Sequence, residues 1–214
     1  MIRISSFKTS YYGREEVNHK GGALKKGKLS LASLELIEGF RRSGILQDID
    51  AHRIDQSKGA IIVSCADGDQ MHDLFHHHEA LVQESNCAPR LHTLALNGGA
   101  LLLPMTSPLN RQFNEDKVLL HHIAVAQKLK EIDTVVLYAH APCGAAMMHD
   151  MSFFQVVQYL MQAKMMLKNS GPAGIKVACF IHIDYGDKKR TYFVSRELFG
   201  KVNPLKNQFS VKKA

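Results

Sequence analysis

Residues 134–144 read TVVLYAHAPCG. TVVLYA (134–139) is a short, continuous, β-branched apolar run, the signature of a strand covered on both faces. His140-Ala141-Pro142-Cys143-Gly144 follows at once. Pro142 stiffens this turn, and Gly144 lets backbone approach closely. The spacing His-x-x-Cys lets an imidazole and a thiolate reach one ion from a single turn, and a helix is expected just after Cys143, with its N-terminal dipole favouring the thiolate.

Similar runs lie on either side. KGAIIVS (58–64) is a second buried strand, and LHTLAL (91–96) is a third strand candidate, closed by Asn97-Gly98-Gly99. KVACFIHI (176–183) is a fourth, and TYFV (191–194) is expected as an edge strand. Helical spacing separates them. Leu31, Leu34, Ile37 and Phe40 share a face of 30–43, with Gly44 as its stop. Residues 71–86 form a His-rich helix. Asn114 caps a helix whose first turn holds Glu115 and Asp116 and whose face holds Val118, Val125 and Leu129. Residues 147–169 form one long helix whose methionines serve core or subunit packing. Strands alternating with helices give an α/β fold, a mostly parallel β-sheet flanked by helices. The divisions are an N-terminal arm and helix (1–57), an α/β domain (58–200) and a basic C-terminal tail (201–214).

A second chemical segment is Ser64-Cys65-Ala66-Asp67-Gly68-Asp69, directly after AIIVS. Ligands in open α/β sheets bind beyond the carboxyl ends of the strands. If the two strands are neighbours, Cys65, His140 and Cys143 meet. Two thiolates and an imidazole suit Zn²⁺, and three protein ligands leave the fourth tetrahedral position open, as in catalytic sites. Cys87 and Cys179 read as plain thiols. Cys87 as a fourth ligand would make the zinc structural.

Composition sets the outer bounds. The 214 residues are 45% hydrophobic and 22% charged, which excludes whole-chain disorder and collagen-like or low-complexity assembly. No apolar run nears the roughly 20 residues of a membrane span, and MIRISSFKTSYYGREE has no signal-peptide core, so a cytoplasmic location is expected. Of the net charge of +7, residues 1–28 carry +5 and 201–214 carry +4, which leaves −2 for the body. Basic ends without a nucleic-acid motif are read as solvated arms, and no nucleic-acid partner is expected.

The pair Cys-x-Asp and VVLYAHAPCGAA resembles the β-class carbonic anhydrases, over roughly residues 58–195. KVLLHHIAVAQKLKEIDTVVLYAHAPCGAA resembles that family's helix–strand–ligand-loop unit, CFIHIDYGDKKRTYFV its late strand and turn, and ALNGGALL, loosely, a turn of the family. The resemblance implies a zinc-dependent lyase of the carbonate dehydratase type, a homodimer or higher homo-oligomer. Zinc would sit on Cys65, His140 and Cys143, and zinc-bound hydroxide would hydrate carbon dioxide to bicarbonate. Asp67 matches the catalytic carboxylate beside the metal. The family's Arg of its Asp–Arg pair falls at position 69, where this chain has Asp69. Without that partner, Asp67 is free to become a fourth ligand. The alternatives are therefore a weakened or inactive zinc-binding relative, or a hydrolase of a CO2 analogue such as carbonyl sulfide. Arg90 and Arg111 are distant candidates for a replacement cation. The Cys65–His140 separation is longer than the family's, with the extra length placed in helix 71–86 and its following loop. Within that helix, His72 and His76, or Asp73 and His77, could share a face. His78-Glu79 does not extend to a zinc-protease motif, and His121-His122 is an ordinary helical pair.

Overall fold

The computed structural model describes residues 28–49, 54, 58–83, 90–110 and 113–202. Six strands form one sheet: β1 (Leu46–Gln47), β2 (Ala60–Cys65), β3 (Leu91–Leu96), β4 (Thr134–Ala141), β5 (Lys176–Asp184) and β6 (Lys189–Val194), in the order β1-β6-β5-β4-β2-β3. β3, β2, β4 and β5 run parallel; β6 returns antiparallel on β5, and β1 pairs antiparallel with β6. The mostly parallel α/β architecture read from the sequence is the one observed. The edge is different: β6 is covered by β1, whose two residues are too few to show a period.

Strand alternation builds two cores. Ile61, Val63, Val135, Leu137, Cys179 and Ile181 face one layer, which holds α1 (Leu31–Arg42), α3 (Glu115–Lys130) and α5 (Phe153–Ser170). Ile62, Val136, Tyr138, Ala178 and Phe180 face the other, where α2 (Gly68–Gln83) packs through Leu74 and Leu81. β2, β4 and β5 are buried almost throughout, which is why their sequences are runs and not alternations; β3, at the sheet edge, is only half-buried.

Both chemical strands extend further than their apolar runs. β2 continues through Cys65, paired with Leu96, and β4 continues through His140 and Ala141, paired with His182 and Ile183. β3 offers the partner that extends β2 and the long β5 those that extend β4, so two of the three candidate donors lie on strands rather than after them.

Each of the four expected helices brings a correction. The stretch 147–169 is not one helix. A single turn, α4 (Gly144–Met147), ends before α5, and Asp150 between them has φ 50°. Ser152 starts α5: its hydroxyl accepts from the Gln155 N–H, and the Gln155 side chain accepts from the Ser152 N–H, a reciprocal cap that fixes the helix start. Met161 is buried in the core, whereas Met147 and Met148 are exposed. On α3 the buried stripe is Leu119, Ile123 and Ala126, while Val118, Val125 and Leu129 face outward, Leu129 at 70% exposure. Both stripes satisfy a 3.6-residue period. Asn114 does precede α3, but with φ 54° and no side-chain cap. On α1, Ile37 and Phe40 are buried, Leu31 and Leu34 are exposed, and the helix ends before Gly44 at φ 73°. α2 starts at Gly68, three residues early, because the Gln70 and Met71 N–H groups bond the Asp67 carbonyl; the expected end near 86 lies outside the described residues.

Gly99 locks the rim. It has φ +51°, and a Cβ there would lie 2.2 Å from the Ser64 carbonyl carbon and 2.3 Å from the Cys65 nitrogen. Backbone cannot rotate away as a side chain can. Gly99→Ala is expected to cost about 3 kcal/mol or more in urea unfolding, combining overpacking with left-handed strain; a loss below about 1 kcal/mol would show that the rim yields.

Candidate metal centre

β2 and β4 are neighbours, and the chain leaves them in opposite directions, to β3 on one side and β5 on the other. Such a reversal opens a crevice at the carboxyl ends of the strands. Cys65 is the last residue of β2, His140 the penultimate residue of β4, and Cys143 lies two residues beyond β4. The Ala141–Pro142 bond between them is cis. The two sulfurs and a ring nitrogen all lie within 4.8 Å of one another, and all three residues are buried. Among the described residues no other group of three His, Cys, Asp or Glu comes so close.

The electrostatics of the cluster are those of a shared charge. A hydrogen bond from Cys143 is the largest influence lowering Cys65 below the usual thiol range; His140 and the Gly98 N–H, 3.2 Å from Sγ, add to it against the opposing effect of burial. The same pairing, then burial, raises Cys143, partly offset by the N–H groups of Ala146 and Ala145 at the start of α4. Unaided, the pair holds one negative charge. A second thiolate needs a cation beside it. His140 is 2% exposed, and neither ring nitrogen has a hydrogen-bond partner among the described residues. Leaving such atoms unpaired costs about 1–3 kcal/mol. A tetrahedral zinc at about 2.3 Å from sulfur and 2.0–2.1 Å from nitrogen separates its ligands by about 3.5–3.8 Å. The donor spacing, the orphaned imidazole and the soft donor set all fit that ion.

Asp67 stands beside this group and not within it. Its Oδ2 is 3.8 Å from His140 Nε2, and its Oδ1 accepts the Asp69 N–H at 3.0 Å. The Asp69 side chain is exposed. Arg90 is no replacement cation. It bonds the Lys58 carbonyl, at the amino ends of β2 and β3, opposite the cluster. Arg111 and Cys87 lie outside the described residues. A cavity of about 160 Å³ opens onto the cluster, lined by His140 and Cys143, by Pro142 and Phe153, and by polar Lys28 and Ser33.

No family model and no curated protein matches the sequence. Among solved structures the chain is similar to a carbonic anhydrase from Streptococcus mutans, at 14% identity over 76% of this chain and 95% of that one, with a TM-score of 0.41. It is also similar to β-carbonic anhydrase isoform I from Trichomonas vaginalis, at 10% identity over 78% and 99%, with a TM-score of 0.40.

The histidines of α2 separate. His72 and His76 meet edge to face on its surface, and His76 Nδ1 lies 3.7 Å from Glu79. Asp73 and His77 part company. His77 Nδ1 is 3.0 Å from the Tyr138 hydroxyl, while Asp73 faces His182 and Lys189. His78 is fully buried, and neither of its ring nitrogens has a partner among the described residues. His121 and His122 are exposed, and Cys179 is a buried free thiol that burial pushes up to about 12. Sequence reading missed His182, which pairs with His140 across the β4–β5 ladder, and Lys189. The one sequence signal was the polar residue inside the apolar run CFIHID.

Proposed function

We propose that the chain is a zinc protein of the β-carbonic-anhydrase type that hydrates carbon dioxide to bicarbonate, with the ion on Cys65, His140 and Cys143. The observation that carries this reading is the convergence of two sulfurs and an imidazole nitrogen within 4.8 Å at one sheet rim. Bound zinc supplies Lewis acidity that brings the pKa of water at its open position to about 7. The protein supplies the rest. Gly98 N–H and the start of α4 hold the two sulfurs. The small cavity, apolar along Pro142, Met151, Phe153 and Val156, has room for a small uncharged molecule. Asp67 Oδ2 is placed to accept a hydrogen bond at the fourth position. Carbonyl sulfide is a neighbouring substrate on the same grounds. A homodimer or higher homo-oligomer, tested by sedimentation, and a cytoplasmic location that keeps the thiols reduced belong to this reading.

A second reading has its own support. Asp67 Oδ2 lies as near His140 Nε2 as one zinc ligand lies to another, and no Arg at position 69 pulls it away. With Asp67 as fourth ligand the open position closes and turnover weakens. Stopped-flow carbon dioxide hydration at pH 7, with zinc content measured on the same sample, separates the two. Under the second reading the zinc-loaded wild type is slow, and Asp69→Arg raises kcat/KM about tenfold by drawing Asp67 off the ion. Brisk wild-type turnover at pH 7 rejects the closed reading; a loaded protein inert in both forms rejects the enzyme.

A further inference from the structure

A cation reaches the first turns of α2 from another strand, without touching Asp67. Lys189 opens β6, opposite Asp184 in the β5–β6 ladder. Its ammonium donates to the Asp69 carbonyl at 3.2 Å and to Asp73 Oδ2. Both acceptors belong to the first turns of α2. The same Asp73 oxygen is 3.7 Å from His182 Nε2, while His182 Nδ1 lies 2.8 Å from Thr191 Oγ1. His182 in turn pairs with His140 in the β4–β5 ladder. The start of α2 is thus tied at two points to the strands beside the cluster.

The Gln70 and Met71 N–H groups hold the Asp67 carbonyl at the start of α2, and the tie adds to this an anchor from the sheet. Gly68 offers no side chain, and the Asp69 side chain is exposed. Asp67 sits just before them, and its Oδ1 accepts the Asp69 N–H. Lys189 grips the carbonyl of that same residue. Fixing Asp69 from one side fixes the donor that holds Asp67 on the other, leaving Oδ2 turned toward His140.

We propose that Lys189, seated on Asp73 and the Asp69 carbonyl, is a positioning residue that holds Asp67 at the fourth position of the metal centre. It acts through the turn and not by touching the ion or substrate. The inference rests on the second reading above, with Asp67 as fourth ligand.

Cobalt(II) substitution with azide titration tests it. In the wild type the thiolate-to-cobalt charge-transfer band appears, and azide competes poorly with Asp67. Lys189→Met releases the turn, shifts the d–d bands and tightens azide binding about tenfold, the effect expected from one charge-assisted hydrogen bond. Asp73→Asn removes the other half of the seat and moves both readouts the same way, which covers a Lys189→Met protein that fails to fold. Lys189→Arg restores wild-type behaviour. In an Asp67→Asn background Lys189→Met has no further effect on azide. Unchanged bands and azide affinity in both Lys189→Met and Asp73→Asn overturn the proposal, as does an undiminished Lys189→Met effect without Asp67. A wild type that shows no charge-transfer band sinks the metal reading itself, and this inference with it.

Discussion

Cys65→Ser is expected to strip the protein of zinc, from about one ion per chain to less than about a tenth, with carbon dioxide hydration falling in parallel. The substitution is nearly isosteric, so packing at the end of β2 survives. What changes is the donor. A serine hydroxyl does not ionise near neutral pH, and the Gly98 N–H that helps hold the thiolate cannot replace the charge lost. Metal binding at such sites is worth about 10 kcal/mol or more at pH 7 and depends on deprotonated ligands. Loss of even an outer-shell partner costs about 10–100-fold in affinity, and loss of one of three direct donors costs more. Metal analysis after dialysis, beside a urea melt showing that the variant folds, gives the result. Wild-type zinc content in folded Cys65→Ser would reject the assignment outright.

The centre was legible for a local reason. Cys65 and His140 each end a β-branched apolar run, and such runs in an α/β chain point their carboxyl ends the same way. Neither motif states which strands are neighbours. That adjacency comes from the order β4-β2, which long-range pairing sets. The same limit hid Lys189. Its partners Asp69 and Asp73 are more than a hundred residues away, chosen by the register that sets Lys189 against Asp184 and His182 against His140. No spacing in the sequence encodes it. Arg90, nearer in sequence and already a cation, lies at the wrong end of the sheet. α3 shows a different failure. Two apolar stripes one residue apart both fit a helix, and contact with β2 and β3 selects Leu119, Ile123 and Ala126. The break before α5 was visible as Ser152-x-x-Gln155, but the methionines running across it suggested continuity.

The face of the sheet opposite α5 is expected to make the protein lose stability in acid below pH 6.5. His77 and His78 are both pushed down to about 4, by burial first in each case. His182, on the same face, is pushed down to about 4 by burial too, against the pull of Asp73. The sign is fixed by which state binds protons first. The unfolded chain protonates these rings near 6.5, while the folded one resists until about 4, so stability present above 6.5 is lost as the pH falls between those values. Each ring contributes up to about 1.4 kcal/mol per pH unit in that window. The unfolded rings are not yet fully protonated at pH 6, so His77 and His78 together are expected to remove about 2 kcal/mol between pH 6 and 5, a little under the ceiling for two rings. Urea unfolding in the Cys65→Ser background keeps metal release out of the measurement. His78→Leu isolates one ring. It replaces a fully buried imidazole without partners among the described residues, so stability at pH 7 holds or rises, and the slope loses close to one proton. A flat stability curve from pH 7 to 5, or a His78→Leu slope equal to the parent's, would mean that these rings admit water or find partners that charge them at no cost.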